Sequence, residues 1–439
     1  MGAPPPVLWG IVEEHLDEAA FLSGRWEAAL ASPRQTLASV AAGPEERLLA
    51  HVDGLLAAGA AARERLLEPA LAGGDGEKAF AGALALLESP GREQVDRAFE
   101  LASAAGPEAS AALTRALGLA HRPGIDRDLL ALAGAADPKR VGPALDALAF
   151  RRLPVQAEVL LRAGSMQAPE VMAAALRAAR LAGPKASPFV ERALRSPVAA
   201  VRDAALESGL VLGLRSAWVA CQQAAEAREP GAGFPLLALA LGGEPSDVER
   251  ITAALAVEAL RSAALFALGF TGRAAAAEAC LAHMRDAKVA RLAGEAFSAI
   301  TGLVIQGELQ APEPAPQEEP IPLDQEDLHA DLVPGPEAAL PLPAADAVEA
   351  WWKKARTRFD ARARYLGGKP YDAETAQDAL AQGPMRRRHA LGLDLAIRTR
   401  GEYAVQARGW AADQLRFQSE HRVAPRPELA LPFGKLLRG

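Results

Sequence analysis

The sequence predicts an all-α fold, in which pairs of helices stack into an α-solenoid with a right-handed superhelix. Three observations predict this fold. Half of the residues are hydrophobic but only 5% are aromatic, and the apolar residues are mostly Ala, Leu and Val, of which Ala and Leu are the best helix formers. Sustained alternation of apolar and polar residues, the mark of half-buried strands, is hard to find. A helical unit that ends in glycine recurs with a period near 30 residues.

The repeating unit has the residue types of an amphipathic helix with a glycine stop. Each copy begins with an apolar residue, continues with paired alanines and a leucine on one helical face, and closes at a glycine. A single helix pair cannot bury its apolar face alone, so neighbouring pairs must share one core. We therefore expect residues 44–306 to form a continuous array. The copies are VMAAALRAARLAG, VRDAALESGLVLG and LRSAALFALGFTG, which end at Gly183, Gly213 and Gly272, with a degenerate copy before Gly242 and a last one before Gly302.

Composition divides the rest of the chain. Residues 1–43 are predicted to be an N-terminal helical cap, and residues 421–439 a tail. Residues 307–346 are predicted to be an acidic, Pro-rich linker, because positions 311–346 contain nine prolines, nine acidic residues and no Lys or Arg. The alternative is an acidic segment that docks on a basic partner, or on the basic residues that follow it in the same chain.

Residues 347–420 are predicted to be a basic helical module. Positions 351–400 carry twelve Lys and Arg against five acidic residues, whereas the whole chain has a formal charge of −7. The overall charge argues against a general nucleic-acid binder, although basic residues beside aromatic ones could bind single strands. The alternative is an amphipathic helix that buries Trp352, Ala355, Phe359 and Ala363. The residues predicted to bind a partner are Trp351, Trp352, Lys353, Lys354, Arg386, Arg387 and Arg388.

The stretch GPMRRRHALGLDLAIR (383–398) aligns approximately with the repeating unit. This alignment predicts a helix whose buried face is Ala390, Leu393 and Ile397. It also places Arg387 in a slot that the other copies fill with an apolar side chain. A buried arginine needs a partner, so we expect a carboxylate or several carbonyl oxygens within reach of Arg387.

The sequence contains no motif that indicates a catalytic residue, a cofactor or a metal site. The histidines are scattered, and the nearest candidate pair, His15 and Glu18, has no second copy. Cys221 and Cys280 lie in Ala-rich helical stretches, so both are expected to be buried free thiols. No long apolar run and no basic, apolar leader is found, which predicts no membrane span and a cytoplasmic protein.

Several stretches resemble HEAT repeats of the short, Ala-rich bacterial kind, notably SPVAAVRDAALESGLVLG (196–213) and DAKVARLAGEAFSAITGL (286–303). The second departs from the pattern at Gly294 and Glu295, which is expected of a final repeat whose outer face meets solvent. Together with VLWGIVEEHLDEAAFLSGRWEAAL at the N-terminus and WW…RYLGGKP…GPMRRRHALGLDLA at the C-terminus, the chain resembles a bacterial HEAT-repeat family of unassigned activity, often encoded in loci linked to type VI secretion.

The resemblance implies a non-enzymatic scaffold, adaptor or chaperone-like accessory whose partner is a secretion component or cargo. Two enzyme classes with HEAT-like repeats are the alternatives. One is the DNA glycosylases that grip a duplex on a basic concave face, from which this chain departs because its array is acidic. The other is the bilin lyases, which only the repeat type favours, and a shared fold is a poor guide to function.

Overall fold

The fold is all-α, as the composition predicted. The computed structural model describes residues 7–313 and 335–437, and helices dominate them. Within these ranges the named strands are a single antiparallel pair, β1 (Tyr365–Leu366) and β2 (Lys369–Pro370). No helix in the described ranges is long and apolar enough to cross a membrane.

The N-terminal part begins with a long helix and continues with short, irregular ones. Its π-helical turns, Ala41–Glu45 and Arg63–Leu67, interrupt the regular helical spacing. The helices are α1 (Trp9–Leu30), α2 (Leu37–Val40), α3 (Glu46–Ala57), α4 (Gly59–Ala62) and α5 (Glu68–Ala72).

A two-layer array of helices follows, from residue 76 to residue 301. Its inner helices are α6 (Gly76–Glu88), α8 (Pro107–Leu119), α10 (Pro138–Phe150), α12 (Pro169–Ala179), α14 (Ala199–Val211), α16 (Gly233–Gly242), α18 (Glu258–Thr271) and α20 (Ala290–Thr301). Its outer helices are α7 (Glu93–Ala105), α9 (Ile125–Ala133), α11 (Ala157–Gly164), α13 (Ser187–Ala193), α15 (Arg215–Ala227), α17 (Asp247–Ala254) and α19 (Ala274–His283).

The inner helices pack on one another in sequence order. Helices α6 to α14 form one continuous series and α16 to α20 a second, while α15 packs against both α14 and α16 at the junction. The junction coincides with the degenerate copy of the repeat. The Ala-rich faces carry the packing: Ala174, Ala175 and Leu176 of α12 are all fully buried, because small side chains let neighbouring helices approach closely.

The C-terminal segment, which we define as residues 345–437, packs against the inner helices. It contains α21 (Ala345–Ala355), the β1–β2 hairpin, α22 (Ala373–Gln382), α23 (Met385–Arg398), α24 (Ala411–Glu420) and α25 (Phe433–Leu436). The predicted tail is part of this packing, because Phe433 of α25 is fully buried against Trp218 of α15.

The described parts of the predicted linker are docked on the array. Gln310 and Pro343 form an antiparallel bridge, and the amides of Ala311 and Ala344 donate to Leu342 and Leu309. Residues 309–311 therefore pair with residues 342–344, so the two described ends of the predicted linker are held against each other. The remainder of that prediction, residues 314–334, lies outside the described residues.

The expectation that Gly294 and Glu295 meet solvent is wrong. A Cβ atom on Gly294 would lie 2.9 Å from Ile305 and 3.3 Å from Pro343. Glu295 is largely buried and pairs with Arg386 of α23. These two departures from the repeat therefore accommodate the linker and the C-terminal segment.

Candidate functional site

Helix α23 lies at the centre of the molecule, so most of its surface is covered. It contacts α1, α14 and α16, and its arginines reach α18 and α20. The predicted face of Ala390, Leu393 and Ile397 is buried, but the opposite positions Leu391 and Leu395 are buried as well. The stretch is a helix, as predicted. However, it fills the inner side of the array and does not stack as one more repeat.

Of the three consecutive arginines of α23, Arg386 and Arg387 share Glu295 as a neighbour, whereas Arg388 contacts Gln414. Arg386 pairs with Glu295 at 3.2 Å and with Glu337 at 3.3 Å. Arg387 is buried, donates to the carbonyl oxygen of Gly269 at 3.0 Å, and lies 3.8 Å above the ring of Phe270.

The predicted environment of Arg387 is confirmed. It has both a carbonyl oxygen within hydrogen-bonding distance and the carboxylate of Glu295, which lies 3.9 Å from Nη1. This contact is too long for a hydrogen bond. Desolvation lowers the pKa of Arg387 to about 10, and the nearby charge of Glu295 opposes that shift.

Arg388 is fully buried with a single polar contact among the described residues, from Nη2 to the side-chain oxygen of Gln414 at 2.7 Å. Desolvation lowers its pKa to about 10. Neither Arg387 nor Arg388 can therefore touch an external partner in this conformation, and that part of the predicted partner surface is wrong.

Other arginines of the C-terminal half bind the carboxyl ends of the inner helices. Arg364 donates to the carbonyl oxygens of Ala240, Phe270 and Thr271, and Arg398 donates to that of Leu241. Arg273, at the end of α18, donates to Gly243 and Arg362. The last carbonyls of a helix lack intrahelical partners and carry partial negative charge, which cations stabilise. Part of the positive charge of the module is thus used inside the molecule, whereas six of the twelve Lys and Arg in residues 351–400 are exposed: Lys353, Lys354, Arg358, Arg362, Lys369 and Arg400.

The tryptophan pair is also part of the core. Trp352 is buried, and its ring lies 5.4 Å from that of Phe297 in α20, whereas Trp351 is half-buried at 6.0 Å from the same ring. Helix α21 ends at Ala355, so neither Phe359 nor Ala363 lies on the predicted amphipathic helix, although Phe359 is buried. Of the predicted partner-binding residues, Lys353 and Lys354 are the exposed ones.

Both cysteines are buried free thiols, as predicted. Burial raises the pKa of Cys280 to about 12 and raises that of Cys221 further, so neither is a reactive thiolate at neutral pH. His15 lies beside His51, with their Nδ1 atoms 3.0 Å apart. The described residues contain no group of three or more metal-binding side chains.

An open cleft remains between the array and the C-terminal segment. It has a volume of about 760 Å³ and lies where α10, α12 and α14 face α23 and the loop 400–406. Its ionisable lining residues are Asp146, Arg152, Arg177, Arg180, Glu207, His389, Arg400 and Glu402. Sequence reasoning missed this site because the lining residues come from distant parts of the chain and form no local motif.

Comparisons with known proteins do not identify a family for this chain. No protein-family model matches the chain, and no curated protein matches its sequence. Among solved structures, human deoxyhypusine hydroxylase in complex with glycerol is similar over 64% of this chain and 94% of its own, at 19% identity and a TM-score of 0.23. A TM-score of this size is too low to support an inference about fold or function.

Proposed function

We propose that the chain is a non-enzymatic protein-interaction scaffold, an adaptor or chaperone-like accessory built as a HEAT-like α-solenoid with a right-handed superhelix. One observation supports this proposal above the others: the inner side of the array holds a long polypeptide segment through arginine–carbonyl bonds and aromatic contacts. Solenoids of stacked helices use such surfaces to bind extended partners. Here the chain supplies its own occupant, so an external protein must bind elsewhere on the surface.

The proposed partner is a component or cargo of a secretion system, and the compartment is the cytoplasm. The sequence resemblance to proteins of type VI secretion-linked loci supports both. On the structure, Lys353 and Lys354 at the end of α21 are the accessible part of the predicted partner surface. An exposed lysine pair can steer an acidic partner without a role in the core.

Affinity purification from the native host tests the proposal. The bait is the tagged full-length chain, and enriched proteins are identified by mass spectrometry. A secretion component or cargo is expected with the native sequence and is expected to decrease several-fold with the double variant Lys353→Glu/Lys354→Glu. The matched control, Lys185→Glu/Arg195→Glu, reverses two exposed charges elsewhere and should retain the partner.

Two other outcomes would contradict the proposal in whole or in part. If no protein is enriched and the purified chain alone has a catalytic activity, the scaffold proposal fails. If a partner is enriched equally by the native sequence and by the double lysine variant, the scaffold proposal is retained and the proposed binding site on α21 is wrong. Exposed charge pairs contribute little to stability, so both double variants should fold.

A further inference from the structure

The cleft between the array and the C-terminal segment has the size of a small-molecule site. Its volume of about 760 Å³ lies within the range that ligand pockets usually occupy. Apolar side chains line part of it, among them Phe150, Leu181, Val211, Leu393 and Val405. Clefts of this kind, where two structural parts meet, are frequent binding sites.

The carboxylates that line the cleft all have cationic partners. Asp146 receives two hydrogen bonds from Arg177, at 2.7 and 2.9 Å. Glu207 pairs with Arg180, and Glu402 pairs with Arg426. None of these carboxylates is therefore free to neutralise a further cation.

Two arginines in the lining have no such partner. Across residues 7–313 and 335–437, neither Arg152 nor Arg400 has a carboxylate within ion-pair distance. The Nε atom of Arg152 is buried without a hydrogen-bond partner in the same ranges, and its Nη2 atom makes only a long contact, 3.5 Å, with the carbonyl oxygen of Gly401. That contact places the guanidinium of Arg152 beside the residue that follows Arg400.

Both arginines lie just beyond the C-terminal end of a helix, Arg152 after α10 and Arg400 after α23. Arg152 has a φ of 60° and Arg400 a φ of 51°, both in the left-handed region that disfavours side chains other than glycine. Helices commonly end with a residue in this conformation, and the amides of Leu153 and Gly401 close the two helix ends by donating to Leu148 and Ala396, so the backbone here caps the helices and does not by itself indicate a ligand. Desolvation also lowers the pKa of Arg152, and repulsion from Arg180 adds to that shift. An anion bound beside Arg152 would favour its charged form and oppose that shift.

His389 adds a hydrogen-bonding group to the same cleft. It is one of the residues that line the cleft, and desolvation lowers its pKa. The ring is therefore neutral at pH 7 and can donate one hydrogen bond and accept another.

We propose that this cleft binds a small ligand with an anionic group, a phosphate or a carboxylate, on an apolar body. Arg152 and Arg400 hold the anionic group, and the apolar body contacts Phe150 and Val405. Guanidinium groups bind both anions through paired hydrogen bonds. The site is separate from the proposed protein-binding surface, and its existence does not depend on the scaffold role.

Calorimetric titration of the full-length chain tests this site with simple probes. Phenyl phosphate and benzoate present the two anionic groups on an aromatic body, and benzyl alcohol is the uncharged analogue. One saturable site is expected for at least one anionic probe, and the stronger of the two identifies the preferred group. Benzyl alcohol should show no saturation over the same concentration range.

Variants locate the site. Arg152→Gln and Arg400→Gln should each weaken the bound probe about tenfold or more, since each removes a charged hydrogen bond. Arg228→Gln is the matched control, because Arg228 is exposed and has the same left-handed backbone, with a φ of 51°. If Arg152→Gln fails to fold, the exposed Arg400 still decides. Absence of saturable binding by both anionic probes, equal binding of benzyl alcohol, or equal weakening by Arg228→Gln would overturn the proposal.

Discussion

Glu45 shows how one buried side chain connects distant parts of the chain. Its carboxylate accepts hydrogen bonds from the indole of Trp26 at 2.9 Å and from the amides of Ala411 and Ala412 at 2.6 and 2.8 Å. It therefore caps the N-terminus of α24, where the free N–H groups and the helix dipole favour negative charge. The ring of Trp410, just before that helix, lies 4.6 Å from Trp26.

Replacing Glu45 should destabilise the fold. Glu45→Ala leaves three N–H donors without an acceptor and should lower the free energy of unfolding by about 2 to 4 kcal/mol. Glu45→Gln keeps one accepting oxygen and should cost less. Urea unfolding followed by tryptophan fluorescence measures both, with the exposed Glu46→Ala as the control. Equal stability of the variants at positions 45 and 46 would show that the cap contributes nothing.

Asp247 makes the stability depend on pH. Its side chain is buried and pairs with Arg250 at 2.6 Å, but its Oδ2 atom has no hydrogen-bond partner among the described residues. Desolvation raises its pKa to about 6, above the ordinary value of 3.8. Between those two pH values the folded state binds more protons than the unfolded state, so this group's contribution to stability falls as the pH rises and then levels off.

Asp247→Asn should therefore remove the decrease in the free energy of unfolding that Asp247 causes as the pH rises. From pH 4 to pH 6.5, the free energy of unfolding of the native sequence should fall by about 1 to 3 kcal/mol relative to that of the variant. Urea titrations at several pH values measure the difference, and the exposed Asp53→Asn serves as the control. Parallel profiles for the native sequence and Asp247→Asn would contradict the prediction.

Helix α23 shows what local periodicity can and cannot predict. The stretch 383–398 was predicted to be helical, and the burial of Arg387 followed from its place in the pattern. The all-round burial of the helix did not follow, because its neighbours α1, α14 and α16 are far away in sequence. Contacts from arginines to carbonyl oxygens cannot be predicted from the sequence either, because every residue carries a backbone carbonyl.

The glycine that ends α18 allows the β1–β2 hairpin to close on the array. Gly272 has a φ of 68°, and a Cβ atom there would lie 2.4 Å from the carbonyl oxygen of Tyr365. Gly59 has the same φ of 68°, but a Cβ atom there meets nothing within 4 Å. Comparing Gly59 with Gly272 therefore distinguishes the cost of a strained backbone from the cost of a steric collision.

The two alanine variants should therefore differ. Gly59→Ala should cost about 1 to 2 kcal/mol, the penalty of a side chain in the left-handed region. Gly272→Ala adds a collision with the hairpin backbone and should cost more, and it should also speed amide exchange at residues 365–369. Unfolding titrations and hydrogen exchange measure these effects. Equal costs would mean that the hairpin moves away freely.

The charge distribution of the whole molecule was visible in the sequence, but the groups that the basic residues contact were not. The excess of Lys and Arg in residues 351–400 suited an external acidic partner, nucleic acid, or the chain's own acidic part. In the structure Arg386 of this stretch reaches carboxylates of the array and linker, Glu295 and Glu337, at hydrogen-bonding distance, while Arg364 and Arg398 reach carbonyl oxygens at helix ends. Composition alone could not distinguish these outcomes, since each requires the same net charge.

If the C-terminal segment is part of the core, cutting the chain after folding should not release it. A protease site placed between positions 322 and 323 and cleaved in the folded protein should give two fragments that co-elute in size-exclusion chromatography. Apolar contacts such as Trp26 with Trp410 and Trp218 with Phe433 hold the fragments together, and these contacts are insensitive to salt. Buried arginine–carbonyl bonds are screened little. Co-elution should therefore persist in 1 M salt, at which the Debye length is about 3 Å. Separation of the fragments there would instead mean that surface charge holds the segment in place and that the inner face of the array can be vacated for another chain.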